Sequence, residues 1–128
     1  SRGKADIDPR LFRRMGDAGE RSTPTSTTHL AAVDRDGNVV GRNDFAAQAE
    51  QVFRNLTIAL EARGCTPADL VKLTVFLTDM DNLGPYREAR NRFFASVTPP
   101  AAPAVTLVEV SKLYGPDFLI EIEAIAAA

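Results

Sequence analysis

An α+β fold, with a mixed sheet and both helices on one of its faces, is predicted by three features of this 128-residue chain. NDFAAQAEQVFRNLTIALEARG carries its apolar residues at helical spacing. VKLTVFLT, AVTLVEVSKL and FLIEIEAIA alternate with period two. The elements follow one another as β-β-α-β-α-β-β, and two helices can cover only one face of such a sheet.

The elements are justified in chain order. Residues 1–25 are rich in Arg, Asp, Gly and Pro and show no periodicity, so they read as a mobile N-terminal arm preceding a domain over 26–128. Within the arm, DPRLFRRMGD has the makings of a short helix, with Asp8 as N-cap and Pro9 in the first turn. THLAAVD, RDGN and VVG form a hairpin pattern, because Asp36-Gly37 supplies the positive φ of a tight turn. Asn43 or Asp44 then caps the long helix, whose stripe is Phe45, Ala49, Val52, Phe53, Leu56, Ala59 and Leu60. Gly64 is placed to end it in the left-handed conformation. Thr66-Pro67 begins a single helical turn, and VKLTVFLT is a strand by its alternation and β-branched content.

A second helix starts near Pro85 and turns Tyr86, Ala89, Phe93 and Phe94 inward, and Pro99, Pro100 and Pro103 prevent its continuation. The two alternating runs that follow are joined by YGPD and are expected to pair as a hairpin. Val105, Leu107 and Leu119 are read as outward residues. They make the second sheet face too apolar to be merely solvated, so an oligomer is expected to bury it.

Composition narrows the function. A net charge of −2 with 25% charged residues gives no basic excess for nucleic acid, and no apolar run reaches the ~20 residues that span a bilayer. The N-terminus SRGKADIDPR lacks the pattern of a signal peptide, and the single cysteine, Cys65, leaves no internal disulfide. A cytoplasmic protein is expected. One His and one Cys cannot make a Cys/His zinc cluster in one subunit, and no metal or other cofactor is implied.

With these elements in place the chain resembles the Rid family of reactive intermediate deaminases, also called YjgF or endoribonuclease L-PSP proteins. The resemblance runs over roughly residues 28–127, through DGNVVGRNDFAAQAEQVFRNLTIALEARGCTPADLVKLTVFLTDMDN, RFF, PAVTLVEVSKL and IEIEAIA. It implies a chorismate-mutase-like fold, a homotrimer with its sheets packed into a central barrel, and small-molecule clefts between subunits. It also implies that Glu121, first glutamate of Glu-Ile-Glu, positions the water that hydrolyses an imine. Deaminating members hold the substrate carboxylate with an arginine where this chain has Val105, within Pro103-Ala104-Val105. A guanidinium matches a carboxylate bidentately, whereas valine offers nothing, a loss of about 1.5–3 kcal/mol. Ordinary 2-aminoacrylate deaminase activity is therefore not expected. Arg87 aligns with an asparagine of the family and is a candidate replacement for the missing guanidinium, its plainer role being a solvated helix face. Thr28-His29-Leu30 aligns with the Ser-Gly-Gln strand that lines the family cleft. Thr28 keeps the hydroxyl, and His29 stands where a glycine allows close approach.

STTHLAAVDRDGN has a second likeness, to the small-subunit start of the γ-glutamyltransferases, N-terminal nucleophile hydrolases. It implies cleavage of Ser26–Thr27 to free the Thr27 amine as a base. Three readings thus stand: a Rid-type protein acting on imines or enamines in an inter-subunit cleft, a non-catalytic ligand-binding trimer, and a self-cleaving hydrolase fragment. Glu121 is the catalytic candidate. Thr28, His29, Arg87 and Val105 are the binding candidates.

Overall fold

A computed structural model describes residues 13–15, 25–95, 97–98 and 102–127. Along it run β1 (Arg13–Met15), β2 (Thr25–Ala31), α1 (Phe45–Ala62), β3 (Leu70–Leu77), α2 (Leu83–Phe94), β4 (Ala104–Glu109) and β5 (Ile120–Ala127). The strands form one mixed sheet in the order β1-β2-β5-β3-β4, in which only β3 and β4 run parallel. That parallel pair needs a crossover, and α2 supplies it.

α1 forms where the stripe places it. The Asp44 side chain accepts from the Ala47 amide at 3.1 Å, satisfying one of the free donors at the helix start. The stripe packs on the sheet face made by Leu30, Leu73, Val75, Leu77, Ile120, Ile122, Ala124 and Ala126, all nearly or fully buried. Gly41, just upstream, has φ +83°, and a Cβ there would come within 2.9 Å of Ala47 Cβ. The chain can enter the helix this closely only without a side chain at residue 41.

Several expectations are corrected. The first hairpin reduces to a single bridge, Val33 to Val39, although the turn forms with Gly37 at φ +85°. The second hairpin does not form. β5 lies between β2 and β3, and β4 pairs with the far side of β3. The reason is burial: Ile120, Ile122, Ala124 and Ala126 must lie under α1, which requires a central strand, while AVTLVE is mostly exposed and suits an edge. Arg13–Met15 are extended rather than helical and pair with Thr25–Thr27, so part of the N-terminal arm is a strand. Asp8 and Pro9, cited for a helix there, lie outside the described residues. α2 begins two residues before Pro85 and ends at Phe94.

Two of the residues read as outward, Val105 and Leu107, do not lie on the outer face. Val105 is in register with Leu73 and Leu107 with Val75, so both belong to the helix-covered face. Leu107 and Leu119 pack against the core, and Val105 is exposed only because β4 is an edge. By alternation the open face carries Thr27, His29, Glu121, Glu123, Ile125, Lys72, Thr74, Phe76, Thr106 and Val108, a mixed set.

Candidate functional site

Two rungs of the open face hold its acid–base groups. His29 faces Glu123 across β2 and β5, and its Nε2 lies 2.7 Å from Glu123 Oε2. Thr74 of β3 flanks Glu123 on the other side. One rung along, Glu121 stands between Ala31 and Phe76. Residues i and i+2 of a strand are about 7 Å apart on one face, so the two carboxylates and the imidazole form one polar strip.

Buried amides of α1 hold this strip in place. Asn55, fully buried, donates from Nδ2 to the carbonyls of Ala31 and Val33, each at 3.0 Å, fixing the end of β2 beside Glu121. Gln51 Nε2 orients Asn55 by donating to its Oδ1 at 2.8 Å. Gln48, also fully buried, donates to the Asp117 carbonyl at 2.7 Å and the Gly41 carbonyl at 3.2 Å. Its Oε1 accepts from the Leu119 amide at 2.9 Å. Gln48 therefore fastens the loop that leads into β5. Arg42 adds an ion pair to Asp117 at 3.2 Å. Sequence reasoning passed over these residues. The available signal was three amides, Gln48, Gln51 and Asn55, intruding at helical spacing beside an apolar stripe.

That loop borders a cavity of about 390 Å³ lined by Thr78, Ser111, Lys112, Tyr114, Phe118 and Leu119, among others. It adjoins Glu121. The Thr78 amide donates to the Leu119 carbonyl at 3.3 Å, which places these two residues two positions along the ladder from the Phe76–Glu121 pair. Tyr114 stacks on Phe118 with ring centroids 4.5 Å apart, yet remains 72% exposed. Partial burial first, and then the negative charge of Glu121, push the Tyr114 phenol above its usual range.

A second cavity, of about 470 Å³, lies between the helices over Phe53, Ile58 and Phe93. Beside it Tyr86 is buried with its hydroxyl unpartnered among the described residues. No group of three or more His, Cys, Asp or Glu able to hold a metal occurs among the described residues. No helix there is long and apolar enough to cross a membrane.

The five residues singled out from the sequence do not converge within one chain. His29 and Glu121 share the open face. Thr28 is buried on the opposite face, in register with Ala124, and Val105 belongs to that face on β4. Arg87 is exposed on α2, whose Tyr86 and Ala89 turn inward. The Ser26–Thr27 peptide lies inside β2, with both residues in register with β1 on one side and β5 on the other.

Comparison with known proteins accords with this architecture. The family description Endoribonuclease L-PSP matches residues 26–128. A RutC family protein of Haemophilus influenzae is 41% identical over 83 residues, 65% of this chain and 63% of that protein. The 2-iminobutanoate/2-iminopropanoate deaminase of Escherichia coli K12 is 40% identical over 83 residues, with the same shares covered. The chain thus spans somewhat less than two thirds of these relatives. Among solved structures, E. coli TdcF with bound serine superposes with a TM-score of 0.77 at 26% identity, covering 92% of this chain and 86% of that one. The sheet order, the helix layer and the match over residues 26–128 lead to one conclusion: this chain belongs to the Rid family of YjgF and endoribonuclease L-PSP proteins.

Proposed function

We propose that the protein hydrolyses a small imine or enamine tautomer of an amino-acid-derived metabolite, with Glu121 as the group that positions and activates water. One observation carries the reading: Glu121 stands half-buried on the open face, two ladder positions from Thr78 and Leu119, which line a cavity of about 390 Å³. The E. coli deaminase relative supports the reaction class. Water adds to the imine carbon as Glu121 accepts its proton. Delivery of that proton to nitrogen, collapse of the carbinolamine and cleavage of C–N leave a carbonyl compound and ammonia.

Since one chain keeps Glu121 apart from Thr28, Arg87 and Val105, any cleft combining them is built between subunits, in a homotrimer. Val105 in place of arginine argues against ordinary 2-aminoacrylate deaminase activity. It also favours a second reading, a trimer that binds such ligands without turnover. Buried, unpaired Cys65 fits a reducing, cytoplasmic setting. Ammonia release from a panel of enzymatically generated imines tests the reaction. Acceleration that is abolished in Glu121→Ala supports hydrolysis, and ligand-induced thermal shifts without acceleration support the binding reading. A light-scattering mass near 13.8 kDa rejects the trimer.

A further inference from the structure

The cavity bordered by the 111–119 loop has a composition of its own. Its walls include one cation, Lys112, with the Ser111 and Thr78 hydroxyls nearby, and an aromatic pair, Tyr114 on Phe118. Tyr114 presents most of its surface to solvent although its neighbour Phe118 is buried. An exposed tyrosine held flat by a buried ring is a platform with one face covered and the other open for stacking. The loop is not loose: Gln48 grips it at Asp117 and Leu119, Arg42 pairs with Asp117, and the Phe118 amide donates to the Gly115 carbonyl at 3.2 Å.

Size narrows the ligand. A volume of 390 Å³ is about thirteen water volumes at ~30 Å³ each, room for a ligand of about a dozen non-hydrogen atoms. A three-carbon acid, with six non-hydrogen atoms, fills only about half of that space.

We propose that the 111–119 loop selects the substrate, with Lys112 holding the carboxylate of a 2-imino acid and Tyr114 stacking on an aryl or similarly flat side chain. This rests on the imine-hydrolase reading and extends it. The ligand lies along the cavity with its imine carbon toward Glu121, two ladder positions from Thr78 and Leu119. Lys112 supplies the counter-charge that Val105 does not. An ammonium suits an exposed rim as a point charge, without needing the fixed fork of a guanidinium.

The test uses stable 2-oxo acids in place of the imines. Phenylpyruvate and pyruvate are titrated calorimetrically into the wild-type protein and into Lys112→Gln, Tyr114→Ala and Tyr114→Phe, with far-UV dichroism confirming that each is folded. Phenylpyruvate is expected to bind about tenfold more tightly than pyruvate, in line with one aromatic stack. Tyr114→Ala removes that preference, Tyr114→Phe keeps it, and Lys112→Gln weakens both acids by about tenfold. Equal affinity for the two acids, a preference that survives Tyr114→Ala, or no response to Lys112→Gln overturns the proposal, as does absence of binding. Turnover is read separately. Selective binding without ammonia release sinks the hydrolase reading and leaves this one standing, while imine hydrolysis without selectivity does the reverse.

Discussion

Gln48→Leu isolates what a single buried amide does for the loop beside Glu121. The substitution keeps the approximate volume of the side chain and removes three hydrogen bonds. The Gly41 carbonyl keeps another partner, the Asp44 amide at 2.9 Å, so its loss is minor. The Asp117 carbonyl and Leu119 amide are left without the side chain that satisfies them. A buried group so orphaned costs about 1–3 kcal/mol, and the lower half of that range applies because both contacts are only part-buried. Together they amount to about 3 kcal/mol, and burying leucine in place of the amide offsets about 1 kcal/mol. A net loss of about 2 kcal/mol should lower Tm by about 8 °C in a domain of this size. Urea titration at fixed protein concentration reads the stability, and hydrogen exchange reads the site: the Leu119 amide should become the most accelerated position. An unchanged midpoint together with unchanged exchange at Leu119 would refute the bracing role.

Tyr86→Phe should leave the protein as stable or raise it by about 1 kcal/mol, because it removes a buried hydroxyl with no partner among the described residues; a clear loss in thermal melts would show that the hydroxyl is satisfied. Burial raises the Tyr86 phenol, so the neutral form stabilises the fold fully below the unfolded pKa of about 10, and that contribution is lost as pH rises through the higher folded value. Denaturant midpoints measured from pH 8 to 11 should therefore fall less steeply in Tyr86→Phe than in the wild type. The His29–Glu123 pair is largely exposed, so a double-mutant cycle on the two alanine variants should give a coupling below about 1 kcal/mol that shrinks with salt; a larger, salt-insensitive value would place the pair in a drier setting. Intact mass should stay near 13.8 kDa on long incubation, since Ser26–Thr27 lies within a ladder paired on both sides; a fragment beginning at Thr27 would revive self-cleavage.

What could be read from the sequence is what local periodicity records. The α1 stripe, the Asp44 cap, the alternation of β3 and β5 and the inward Tyr86 and Ala89 all depend on residues close in the chain. Pairing partners are not recorded that way. AVTLVEVSKL and FLIEIEAIA are consecutive, alternating and joined by turn residues, so a hairpin is the local answer. The competing demand, that Ile120 and Ile122 lie under α1, exists only once the helix is in place. The same gap hid the bracing amides. Gln48 looks like a solvated helix residue until the Asp117 and Leu119 backbone arrives some seventy residues later.

The central position of β5 bears directly on the chemistry. Were β4 and β5 a hairpin, Glu121 could lie near the edge of the sheet, where water competes for its carboxylate. As built, β2 and β3 flank it, and Asn55 pins the end of β2 by gripping Ala31 and Val33. The two ladders fix the Glu121 backbone, which narrows the positions its carboxylate can take and is the kind of preorganisation the proposed role calls for. Val105 receives no comparable support. It lies on an edge strand, on the other face, in register with Leu73 rather than Phe76. A charged side chain there would add or remove charge without disturbing the scaffold of Glu121. Positions 105 and 121 are thus structurally independent of one another. On the proposed reading, ligand binding by the 111–119 loop therefore makes no demand on position 105 and leaves the scaffold of Glu121 untouched.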